Sequence, residues 1–138
     1  MPRQKKPKKW KSESDRAEYY FWMNQVFEAL EARKNRIFVV RMHMKKWKGR
    51  HVGFYDPDKD RIYIDIRGDM IPTLIHEALH AYFSPWEVKR EERAVREVEK
   101  AVMQTGSLTA GHMVRLSKYL LTKNGLLAKK FPMVHFDD

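Results

Sequence analysis

His76-Glu77-Ala78-Leu79-His80 sets two imidazoles four residues apart, with a carboxylate beside the first. On a helix this spacing puts both rings on one face, one turn apart, where both can reach one metal ion. Zinc accepts imidazole nitrogen and takes four ligands. A glutamate next to the first histidine points at a metal-bound water without ligating the metal, and can serve there as general base. The chain has 6 His and 10 Glu among 138 residues. Random placement then yields roughly 0.02 copies of the pattern, so composition alone does not account for it.

A catalytic zinc keeps three protein ligands and one open position. The third ligand is expected downstream, once the chain turns at Ser84-Pro85. The next segment carries Glu87, Glu91, Glu92, Glu97 and Glu99. Its apolar face reads as Ala94, Val95, Val98, Ala101 and Val102, and Glu91 shares that face. A carboxylate there is costly unless it is paired or metal-bound. Glu91 is therefore the first choice for the ligand, ahead of Glu92, which reads as solvated beside Arg96, and of Glu87 at the helix start. The plainer reading of each is a surface carboxylate paired with Lys89, Arg90 or Arg93. His112, on the last predicted helix, competes for the role. His43, His51 and His135 have no partner at metal-ligand spacing.

The elements that must position these groups follow from periodicity. Residues 12–34 read as a helix capped by Ser12 or Ser14, with Tyr19, Trp22, Met23, Val26, Phe27 and Leu30 as its apolar stripe. Residues 36–45 read as a strand. A short strand at 52–55, an Asp56-Pro57-Asp58-Lys59-Asp60 turn and an alternating strand at 61–66 follow. Together these predict a small, mainly antiparallel sheet of about three strands. Asp69 is placed to cap a helix ending before Ser84-Pro85, with Ile71, Leu74, Ile75, Ala78, Leu79 and Tyr82 on its apolar face. A second, acidic helix is expected from residue 85 or 86 to 103, and a third over about 108–123. The residues from Phe131-Pro132 onward read as a tail. The fold class is α+β.

Phe54-Tyr55-Asp56-Pro57, Arg61-Ile62-Tyr63-Ile64 and Thr73-Leu74-Ile75-His76-Glu77-Ala78-Leu79-His80-Ala81 together resemble the compact zinc metallopeptidases of phages, prophages and bacteria. Those proteins place an acidic helix behind the motif, here Glu91-Glu92-Arg93-Ala94. The resemblance covers about residues 52–102 and is of the zincin, gluzincin type. It implies that His76, His80 and Glu91 bind Zn2+ and that Glu77 activates water. It also implies that a strand beside the motif helix, here 61–66, holds an extended peptide by β-addition. An electrophile beside the zinc would be Tyr63, Tyr82 or His112. The segment Trp86–Arg90 is longer than in the usual small forms, and the chain after residue 104 has no counterpart in them. SprT-type proteases are similar in character, joining a small H-E-x-x-H domain to basic regions, but they use a third histidine.

Composition narrows the class further. The chain has no cysteine, which excludes a disulfide framework, a cysteine-ligated zinc site and a cysteine nucleophile. No apolar run approaches the roughly 20 residues of a membrane span, and the basic start has no apolar segment behind it; a cytoplasmic, non-membrane protein is expected. Of the net charge of +10, residues 1–11 supply six with no acid. They read as a basic disordered arm carrying Lys5, Lys6, Lys8 and Lys9, followed by one zincin-like domain over 12–138. Trp47 among Lys45, Lys46, Lys48 and Arg50 can stack a base, or can be a solvated hairpin tip. The expected activity is hydrolysis of a peptide or protein substrate. The other reading is a DNA- or RNA-binding accessory protein with a structural or vestigial zinc.

Overall fold

Ser12 opens the first helix, as its side chain accepts from the Asp15 backbone N–H at 3.1 Å and satisfies one of the donors that a helix start leaves unpaired. The computed structural model describes residues 12–44, 52–103 and 108–136. The basic arm with Lys5, Lys6, Lys8 and Lys9, and the Trp47-Lys48 turn, lie outside the described residues. Helix α1 (Glu13–Ala32) buries Tyr19, Met23, Val26, Phe27 and Leu30, the stripe its spacing predicts. Strands β1 (Ile37–Met44), β2 (Gly53–Asp56) and β3 (Arg61–Asp65) follow. Then come α2 (Met70–Phe83), a 3-10 turn (Ser84–Trp86), α3 (Glu91–Met103), α4 (Ala110–Leu120) and β4 (Met133–Phe136). The described residues thus form an α+β fold.

The sheet is mixed, with strand order β2-β3-β1-β4. Only β2 and β3 pair antiparallel; β1 runs parallel to β3 through Ile37–Val40 and parallel to β4 through Arg41–Met44. This corrects the expected three antiparallel strands. The Asp-Pro turn specifies the β2–β3 hairpin locally, but β1 takes its neighbours from distant parts of the chain. It also corrects the tail at the C-terminus, part of which is β4. A third correction concerns the strand expected to hold substrate. β3 has β2 on one side and β1 on the other, so both of its edges are filled; among the described residues the edge strands are β2 and β4, and β2 is the one beside the motif helix.

Alternation along β1 builds two apolar layers. Ile37 and Val39, with Tyr55, Ile62 and Ile64, pack under α1, α2, α3 and α4. On the opposite face Val40, Met42 and Tyr63 are buried with Phe38, Phe54, Val134 and Phe136 against them. α3 begins later than its composition predicts. Glu87 (φ 49°) and Arg90 (φ 57°) are left-handed, which L-residues do not repeat within a right-handed helix. α4 is shorter than expected and is capped by Thr109, whose side chain accepts from the His112 N–H. Among the described residues no helix is long and apolar enough to cross a membrane.

Candidate metal centre

Helix α2 presents three different faces. Leu74, Ile75, Ala78, Leu79 and Ala81 are buried in the main core, which fixes the helix in rotation. His76 and His80 meet the carboxylates of α3, while Thr73 and Glu77 meet β2. Asp69 precedes the helix but its side chain makes no cap. Instead its carbonyl accepts from the Thr73 hydroxyl at 2.7 Å.

The two histidine Nε2 atoms stand 3.2 Å apart. Glu92 reaches both, with Oε2 at 2.7 Å from His80 Nε2 and Oε1 at 3.3 Å from His76 Nε2. Among the described residues these three side chains form a group able to hold a metal ion. Ligand atoms at about 2.0–2.1 Å from a tetrahedral zinc are separated by about 3.3 Å; the 3.2 and 3.3 Å separations here are close to that and the 2.7 Å one is shorter, and two imidazoles with a carboxylate are donor types that such an ion accepts. Glu91 was the first choice from periodicity. Its carboxylate instead meets the other nitrogen of His80, Nδ1, at 2.6 Å. Glu99 meets His76 Nδ1 in the same way. A carboxylate at Nδ1 holds the ring proton there and leaves the Nε2 lone pair for a metal. Burial disfavours charge on His76, but the Glu99 hydrogen bond and the charges of Glu77, Glu99 and Glu92 outweigh it and hold the imidazole above its ordinary value.

Glu77 is 6% exposed. Burial pushes its carboxyl up to about 7, against the lowering effect of His76, His80 and a hydrogen bond from the Tyr55 backbone. A base is most effective with its pKa near the working pH. Gly53 permits this closeness. A Cβ there would overlap the Thr73 methyl and lie 3.1 Å from Glu77 Oε2. Between β2 and the two helices lies a cleft of about 330 Å³, lined by Gly53, Phe54, Tyr55, His76, Glu77, His80, Glu91 and Glu92.

The other predicted residues lie elsewhere. His112 Nδ1 pairs with the Tyr19 hydroxyl at 2.8 Å and its ring stacks on Tyr19. Burial and the Arg115 charge hold its pKa down. Tyr63 belongs to the opposite face of the sheet. Tyr82 packs edge-on against Trp22. Glu87 is exposed in the turn before α3. Sequence reasoning passed over Glu99, Gly53 and Tyr55. For Glu99 a signal existed: Glu92 and Glu99 are two helical turns apart, on one face with Val95 and Val102. No protein-family model, curated protein or solved structure matches the chain.

Proposed function

We propose that the chain is a zinc-dependent peptidase. The observation that carries this reading is the convergence of His76 Nε2, His80 Nε2 and the Glu92 carboxylate beside Glu77, in a cleft bordered by an edge strand. Two imidazoles and a carboxylate are a donor set of hydrolytic zinc sites, with a position left for water or substrate. When bound there, zinc would supply Lewis acidity toward a scissile carbonyl and lower the pKa of water.

The chain's own groups then have distinct tasks. Glu77, buried and basic, takes a proton from the attacking water and returns it to the leaving amine. Glu91 and Glu99 hold the Nδ1 protons of His80 and His76. The edge of β2, from Gly53 to Asp56, takes the role first expected of residues 61–66 and pairs with an extended peptide. The electrophile expected at Tyr63, Tyr82 or His112 has no part in this reading.

Metal analysis of the purified chain tests it. One zinc per chain is expected, lost in His76→Ala and Glu92→Ala. Glu77→Gln should keep the zinc and lose peptide hydrolysis by about 100-fold or more. A chain that takes up no zinc when it is supplied, or a Glu77→Gln variant with full activity, would overturn the reading.

A further inference from the structure

Asp60 lies outside the cleft lining, yet three side chains converge on it. Its Oδ1 accepts from the Tyr55 hydroxyl at 2.6 Å and from Arg33 Nε at 2.6 Å. Its Oδ2 accepts from Arg36 Nη2 at 2.9 Å. The same two guanidinium groups donate to the last turn of α1, Arg33 to the Ala29 carbonyl at 2.8 Å and Arg36 to the Ala32 carbonyl at 3.1 Å. Arg33 also lies over the Tyr55 ring, 5.6 Å from its centroid. Asp60 itself is left-handed, with φ 53°, a conformation that aspartate tolerates better than most residues. The carboxylate therefore ties the β2–β3 turn to the end of α1.

Tyr55 carries this tie into the site. Tyr55 is 9% exposed and lines the cleft together with Glu77, and Gly53, two residues before it on β2, lies directly against the Glu77 side chain. β2 is only four residues long and sits at the sheet edge, so among the described strands it pairs with β3 on one side only. We propose that Asp60, acting through Tyr55, is a positioning residue of the site: it fixes β2, and with it the Gly53–Tyr55 backbone, against Glu77. The role of Glu77 as base rests on the peptidase reading; the clamp itself does not.

The test uses the full chain and three variants, Tyr55→Phe, Asp60→Ala and Asp60→Asn. The first readout is amide hydrogen exchange at Tyr55, with Val39 in the middle of β1 as control. Tyr55→Phe and Asp60→Ala should speed exchange at Tyr55 by roughly tenfold and leave Val39 unchanged. Asp60→Asn, which keeps an acceptor for the tyrosine hydroxyl, should do less. The second readout is peptide hydrolysis, where kcat should fall about tenfold because the base is displaced, with a rise in KM because the loosened β2 also holds the peptide. Wild-type exchange at Tyr55 in all variants would overturn the proposal. So would equal acceleration at Val39, which marks general loosening, or an unchanged kcat once Tyr55 has loosened. A wild-type chain with no hydrolytic activity would remove the peptidase reading, and the exchange data would still decide the clamp.

Discussion

A histidine that binds metal through Nε2 needs its Nδ1 proton held, and His76 and His80 each have a carboxylate at Nδ1 that would serve this under the peptidase reading. Glu91 and Glu92 are neighbours on α3 with different contacts, one at Nδ1 of His80 and one between the two Nε2 nitrogens. Glu91→Gln and Glu99→Gln should each weaken zinc binding by about tenfold, the scale of an outer carboxylate. Glu92→Gln should weaken it much further. Competition against a chromophoric chelator reads all three, and equal losses for Glu91→Gln and Glu92→Gln would make Glu91 a ligand as well. The meeting of His76 and His80 was legible because a spacing of four on a helix leaves little geometric freedom. Which carboxylate stands between the two Nε2 atoms was not. Adjacent helical positions differ by about 100°, and choosing between them requires the helix start, which the left-handed Glu87 and Arg90 delay to Glu91.

β1 outruns β3, and two side chains continue the ladder where β3 stops. The Met42 N–H donates to Asp65 Oδ2 at 2.9 Å, and the Met42 carbonyl accepts from Arg67 Nη2 at 2.9 Å. Arg67 and Asp65 are themselves paired at 2.6 Å. Asp65 is 4% exposed. Burial works against its charge, but the hydrogen bonds from Arg67 and the Met42 N–H outweigh it, and its carboxyl is held below the ordinary value. A depressed folded pKa gives stability that is present above the unfolded value of about 3.9 and is lost as pH falls through the folded value. Asp65→Asn should therefore cost about 2 kcal/mol near neutral pH, and the gap from wild type should close as pH falls below about 3.9. Urea melts across that range measure it, and a gap independent of pH would assign the loss to packing. None of this pairing was legible from local pattern. Turn chemistry named the β2–β3 hairpin through Asp56-Pro57, but parallel partners for β1 come from contacts distant in sequence. β4 is four residues directly after Pro132, too short to separate from a tail by alternation.

Charge is divided along the chain in a way that bears on what it can bind. Residues 1–11 carry six of the ten excess positive charges, whereas Glu77, Glu91, Glu92 and Glu99 surround the two histidines of the candidate centre. A polyanion is attracted by the first set of charges and repelled by the second, so the two sets would favour different ligands. If the six cations of the arm each neutralise one phosphate, affinity for duplex DNA should fall with salt with a log–log slope of about −5, and for a single strand about −4. Deleting residues 1–11 should remove most of that slope while peptide hydrolysis proceeds at the rate of the full chain. Fluorescence anisotropy over a salt series, beside a peptidase assay on both forms, checks the two halves together. A slope that survives the deletion would move the nucleic-acid surface onto the folded domain. A deletion that also abolishes hydrolysis would mean that the arm serves the cleft, and that the basic and acidic regions act on one substrate.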